Sequence, residues 1–279
     1  MPSRCLTVVC LIAALVLVGG CGSTTPASTP IPPAATATPV PPAATPVPPT
    51  AVPSPTAVPL APVEVEAVSF RTGDGVRLDG NLYTSEGAKG SVVLLAHMGL
   101  DDQRGWAGFA KHVAGRGWPA LTFDFRCFGQ SGCDRQRSGN ADEFYLQDIL
   151  AATRYLRGRG YSGIVCMGAS LGGSACINLA MEEDLAGLVV IASGNPYPIS
   201  AKHFPDDLVS PDMPKLFVVA EYDPYAVART AVPNLYELST EPRELRTFPG
   251  TAHGTEMFST EYGGEFRDLV ANFLLQLIR

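Results

Sequence analysis

From Glu64 onward the chain alternates short, strand-length runs with longer amphipathic stretches, and no other feature restricts its folding so tightly. Six of these runs read as strands: Ser91–Ala96, Pro119–Phe125, Gly163–Gly168, Ala186–Ser193, Lys215–Ala220 and Glu244–Phe248. Most are apolar on both faces, as a strand must be when helices cover both sides of a parallel sheet. Two further strands, Val65–Arg71 and Val76–Tyr83, flank Thr72-Gly73-Asp74-Gly75, where Asp-Gly suits the left-handed positions of a tight hairpin. The segments between strands carry helical stripes. Trp106, Phe109, Ala110 and Val113 form one, ended by Gly115 and Gly117; Tyr145, Ile149, Ala152 and Leu156 form another; Phe266, Leu269, Val270, Phe273, Leu274 and Leu277 form the last. Core packing accounts for all of them. The expectation is an α/β fold with a mostly parallel eight-stranded sheet flanked by helices.

Only 17% of the chain is charged, and the shortfall is local. Residues 1–63 hold a single charged side chain, Arg4, and every other charge lies in 64–279. Residues 1–21 combine Arg4, an apolar run from Leu6 to Val18 and Val18-Gly19-Gly20-Cys21. Thirteen apolar residues fall short of the ~20 that span a bilayer, so the run reads as a signal-peptide core. The small residues before Cys21 resemble a bacterial lipobox, which implies lipidation of Cys21 after cleavage and a membrane-anchored, extracytoplasmic protein. An ordinary secretory signal with an incidental cysteine is the alternative. Residues 22–63 contain 14 prolines in 42 positions and read as a semi-rigid stalk with a reach of about 130 Å. The folded domain is then 64–279. A net charge of −7 excludes nucleic acid as the main partner.

Seven cysteines fall into three groups: Cys5 and Cys10 in the signal, Cys21 at the lipid site, and Cys127, Cys133, Cys166 and Cys176 in the domain. In an oxidising compartment Cys127 and Cys133, six apart in a Gly-rich loop, are placed to close a small disulfide. Cys166, in an apolar strand, and Cys176, in a helix, are read as free thiols packed as small hydrophobes. No CxxC or HExxH motif occurs and the four histidines lack ligand spacing, so no metal or other cofactor is expected.

Gly168-Ala169-Ser170-Leu171-Gly172 fits the pattern G-x-S-x-G. Tyr161–Met167 precede it as a strand and Leu171–Met181 follow as a helix, the setting in which this pattern lifts a serine hydroxyl out of a strained turn. Small residues at 168 and 172 are required because a Cβ there would crowd the turn. The start of the following helix offers free N–H groups to a developing oxyanion. A serine needs an imidazole to take its proton, and the imidazole needs a carboxylate to hold its tautomer. Asp223 follows the strand Lys215–Ala220, and His253 follows Glu244–Phe248, giving the order Ser170, Asp223, His253. Glu221 is the rival acid. His97 reads as a structural residue, His112 as lying on the solvent side of a helix, and His203 as part of a polar loop.

At these residues the chain resembles bacterial α/β-hydrolases of the dienelactone-hydrolase and esterase-like type, over about residues 65–279. Further matching pieces are His97-Met98-Gly99, Asp124-Phe125-Arg126-Cys127-Phe128-Gly129-Gln130-Ser131-Gly132 and Ala252-His253-Gly254-Thr255-Glu256. The resemblance implies the α/β-hydrolase fold and a first oxyanion donor from the amide of either Met98 or Gly99, since Met98 stands where the family commonly has glycine. It implies Leu171 as the second donor. Cys127 replaces a common glycine, which supports its pairing with Cys133. The function expected is hydrolysis of carboxylic esters of small, soluble acyl groups through an acyl-serine. A peptidase or thioesterase on the same triad, and a non-catalytic binding lipoprotein, are the alternatives. Only 21 residues, Gly194–Pro214, separate the sixth and seventh strands, too few for a helical lid, so the cap is minimal or missing and the acyl pocket shallow.

Overall fold

The computed structural model describes residues 60–88, 90–133, 141–194 and 213–277. The signal, Cys21, nearly all of the stalk, His203 and most of the Gly194–Pro214 segment lie outside them. The strands are β1 Glu64–Arg71, β2 Arg77–Thr84, β3 Ser91–Ala96, β4 Ala120–Phe123, β5 Gly163–Ala169, β6 Gly187–Ile191, β7 Lys215–Ala220 and β8 Arg243–Phe248. They form one sheet in the order β1-β2-β4-β3-β5-β6-β7-β8. β2 pairs antiparallel with both β1 and β4, and every other pair is parallel. This is the α/β-hydrolase fold.

The helices are α1 Ala107–Ala114, α2 Ala141–Gly158, α3 Leu171–Glu182, α4 Ala226–Leu238 and α5 Gly263–Gln276. The sequence stripes had singled out the courses of α1, α2 and α5, and the serine motif that of α3. α4 had no such mark. Its buried stripe, Ala228, Ala231, Val232 and Leu235, is short and runs past Pro233. Among the described residues no helix is long and apolar enough to cross a membrane.

Alternation along the central strands divides the core in two. Val92, Leu94 and Ala96 of β3, and Ile164 and Cys166 of β5, face the layer that includes α2, α3 and α4. Val93 and Leu95, with Val165, Met167 and Ala169, face α1 and α5. Two-sided burial explains why these strands read as unbroken apolar runs. The chain goes from β3 to β4 on one side and then returns to β5 on the other. Its direction reverses between the C-terminal ends of β3 and β5, the position at which open α/β sheets leave a crevice between diverging connections. Met98 follows one of these ends and Ser170 the other.

The loop after β4 is held by a buried charge cluster. Arg126 donates through Nε to Asp148 Oδ1 at 2.8 Å, and its backbone N–H donates to Asp148 Oδ2 at 2.9 Å. Its Nη1 meets Asp74 Oδ2 at 2.9 Å, so α2, the β4 loop and the β1–β2 turn share one guanidinium. Burial works against the charge on Asp74, but hydrogen bonds from Arg126 and Thr72 and the Arg126 charge hold its carboxyl down to about 2. An acid with a lowered folded pKa stabilises the fold above its unfolded pKa of roughly 3.9, and that stabilisation is lost as pH falls through the folded value. Asp74→Asn is therefore expected to melt below the native chain at pH 6, with the gap closing between pH 4 and pH 2. Asp148→Ala leaves the buried guanidinium with Asp74 alone and takes the acceptor from the Arg126 N–H, which should cost about 3–5 kcal/mol; chemical denaturation measures both.

Candidate active site

Ser170 joins β5 to α3 with φ 51° and ψ −114°, a strained conformation for a residue with a side chain. Backbone contacts on every side impose it. The Ser170 N–H donates to the Ile191 carbonyl at 2.8 Å, and its carbonyl accepts from the Ser174 N–H at 3.1 Å and from the buried Ser193 hydroxyl at 3.0 Å. A Cβ on Gly168 would lie 2.2 Å from the Gly172 carbonyl oxygen, and one on Gly172 would lie 2.2 Å from that of Ala96. The helix start thus rests directly on the end of β3, and only glycine permits the approach.

The end of β3 is shaped by His97, which is fully buried. Its Nε2 accepts the Phe125 N–H at 3.0 Å, so Nδ1 carries the proton and donates to the Met98 carbonyl at 2.7 Å. Burial holds its pKa down, keeping the ring neutral despite the nearby Asp124. Gly99 comes close to Leu171, since a Cβ on Gly99 would sit 3.9 Å from Leu171 Cδ1. Leu171 is the first residue of α3, where N–H groups have no partner within the helix.

Asp223 and His253 meet across the ends of β7 and β8. Asp223 is fully buried, and its carboxylate lies 2.8 Å and 3.0 Å from His253 Nδ1. The Tyr225 N–H donates to Asp223 Oδ1 at 2.9 Å, and the Arg229 guanidinium donates to the Asp223 backbone carbonyl. Glu221, by contrast, is exposed. The His253 N–H donates to Glu256 Oε2 at 3.0 Å, which pins the loop carrying the imidazole. The next residue, Gly254, packs against the elbow: a Cβ there would be 3.2 Å from Ala169 Cβ and 2.9 Å from Met98 Sδ. The loops bearing Ser170, His253 and Met98 therefore converge on one point.

Sequence reasoning had missed Ser193, Glu256 and Arg229. Each acts on backbone groups; only Glu256 had a spacing that could have marked it, three residues after His253 as in a capping box. His112 is half-buried beneath the sequence expectation of a solvent-facing ring, stacked over Phe109 at a centroid distance of 6.4 Å.

Two disulfides flank the site. Cys127 and Cys133 are bridged with a Cα–Cα distance of 4.4 Å. Cys166 and Cys176 are also bridged, at 5.7 Å, which corrects the reading of two free thiols. Cys166 points from β5 toward α3 and Cys176 points back from the second turn of that helix, so the two apolar positions face each other across the elbow. Non-reducing peptide mass spectrometry of protein made in an oxidising compartment should recover the 166–176 link as well as the 127–133 link. Alkylation of Cys166 and Cys176 without reductant would refute the former. Gly172→Ala should abolish soluble folded protein or lower its melting temperature sharply, because the new methyl meets a backbone carbonyl that cannot move aside.

Residues 92–275 match the model of the alpha/beta hydrolase family, and the chain belongs to that family. A polyketide transferase, claH of Penicillium crustosum, is 28% identical over 153 residues; the match covers 50% of this chain, and the chain spans about half the length of that relative, 49%. Among solved structures, a CIB-like hydrolase from Thermoplasma acidophilum superposes with a TM-score of 0.62 at 18% identity, covering 76% of this chain and 99% of that one. A dienelactone hydrolase from Anabaena variabilis gives 0.61 at 20% identity, covering 78% and 99%. The Pyrococcus furiosus esterase Pf2001 gives 0.59 at 17%, covering 76% and 92%. At these identities the solved structures speak for the fold.

Proposed function

We propose that the protein is a serine hydrolase that cleaves carboxylic esters of small, soluble acyl groups, with Ser170 as nucleophile, His253 as base and then acid, and Asp223 as the orienting carboxylate. The observation that carries this reading is the buried Asp223–His253 pair set beside a serine at φ 51°. With Nδ1 committed to Asp223, Nε2 is the nitrogen left to take the Ser170 proton. Oγ then attacks the ester carbonyl carbon, and the resulting oxyanion accepts the Leu171 N–H and one amide from the β3 loop. Gly99 is favoured over Met98 as that donor. The Met98 carbonyl is turned toward the His97 ring, and in a trans peptide the Gly99 N–H points the opposite way, away from that ring. Collapse of the intermediate breaks the C–O bond, His253 gives its proton to the departing alcohol, and water repeats the sequence to free the acid. No metal or organic cofactor has a part in these steps.

The Pro-rich stalk and Cys21 extend the proposal to localisation: a lipid-anchored enzyme on the extracytoplasmic face of a cell membrane. Incorporation of a clickable fatty acid, lost in Cys21→Ala, tests that part.

Ser170→Ala should remain folded and lose aryl-ester hydrolysis to background, since triad members act as a unit. A fluorophosphonate should label the native chain at Ser170 and leave the variant unlabelled. Hydrolysis unchanged in Ser170→Ala would remove the assignment. Across acetyl, butyryl, octanoyl and palmitoyl esters, kcat/KM should peak at acetyl or butyryl; a steady rise with chain length would reveal a deep pocket, as each buried methylene can contribute up to ~0.8 kcal/mol.

A further inference from the structure

Tyr225 stands against the imidazole in a position that core packing does not explain. It precedes α4, and its ring centroid lies 4.4 Å from that of His253 with the planes tilted by 51°. The side chain is nevertheless 51% exposed. Val227, two residues on and beside Gly194, is 55% exposed, and Tyr222 is 60% exposed. Single exposed apolar residues are ordinary, but three within six positions, one of them touching the imidazole of a buried Asp–His pair, form an apolar rim at the site.

We propose that Tyr225 is a specificity-determining residue, the platform on which the alcohol half of the ester stacks, and that the substrates are esters of aromatic, benzyl-type alcohols. This rests on the roles given above to Ser170, His253 and Asp223. The leaving oxygen must come within hydrogen-bond reach of His253 Nε2 to receive its proton, so the alcohol half departs on the imidazole side. The carbonyl oxygen and acyl group are turned toward the amides of Leu171 and Gly99. A ring one carbon beyond the leaving oxygen then falls within contact distance of a side chain already packed on the imidazole. An exposed phenol ring offers such a group an offset or edge-to-face partner, which a saturated ring of equal size cannot match. Backbone and side chain separate cleanly here. The bond to Asp223 uses the Tyr225 N–H, which Tyr225→Ala retains.

Benzyl acetate and cyclohexylmethyl acetate have the same acyl group, similar bulk and leaving alcohols of comparable basicity, so their ratio of kcat/KM reads the aromatic contact. The native enzyme should favour the benzyl ester by about three- to ten-fold, the range of an aromatic pair. Tyr225→Ala should bring the ratio to about one, the benzyl ester losing more than the cyclohexylmethyl ester, and Tyr225→Phe should retain the preference. Labelling with a fluorophosphonate runs in parallel. A Tyr225→Ala chain that still labels at Ser170 while losing the preference supports the proposal. Equal loss of both esters would mark Tyr225 as a prop for His253 and overturn it, as would a native ratio of one. A native chain that does not label brings down the serine reading, and the stacking proposal with it.

Discussion

The approach of Gly172 to the end of β3 is the contact on which the site depends. It places the first turn of α3 against the carbonyl oxygens of Ala96 and His97, at distances a side chain would not tolerate. Two consequences follow from this one contact. The turn at Ser170 must pass through a left-handed conformation, which presents its side chain outward at the end of the strand. The free amides at the helix start are brought beside the loop that carries Met98 and Gly99. The strained turn at Ser170 and the placement of the free amides beside the β3 loop are thus two results of a single steric condition.

Around that contact the fold spends buried polar groups on loops. His97 ties the β3 loop to the backbone of Phe125; Asp124 receives the N–H of Gln103 and of Gln130; Arg126 gathers Asp74 and Asp148. Each polar group is satisfied, as burial requires. The sheet itself needs little of this, because its strands are held by ladders and by apolar layers on both faces. What polar burial adds is a fixed geometry for segments that have no ladder of their own, and these are the segments that form the rim of the crevice. The Cys127–Cys133 bridge serves the same loop covalently.

The central strands β3 to β7 could be read from sequence to within one or two residues because two-sided burial leaves an unbroken apolar run, while β1 and β2 were marked by the Asp-Gly turn between them. The pairing of Asp223 with His253 was legible for a different reason: strand ends come in a fixed order, so a carboxylate after β7 and a histidine after β8 are brought to one edge of the sheet. What escaped was whatever depends on direction in three dimensions. Cys166 and Cys176 are ten apart, one on a strand and one on a helix, and only the facing of the two elements makes them partners. Ser193 acts on a main-chain atom and has no spacing to betray it. The α4 stripe was hidden by Pro233 and by small residues that carry little hydrophobic contrast.

The rim residues pose the opposite problem, since nothing in a sequence distinguishes Tyr225 from a core aromatic. Its meaning comes from two facts that conflict: a ring packed on the His253 imidazole, and a residue left half exposed to water. A side chain that served only to hold His253 would gain by being buried, because removing its apolar area from solvent is favourable. Asp223 and Glu256 already fix the imidazole and its loop, so the ring is not needed for orientation. Apolar surface left exposed beside a buried Asp–His pair is therefore read as surface kept for a second molecule, and on the roles proposed above its place against His253 assigns that molecule's leaving half rather than its acyl half.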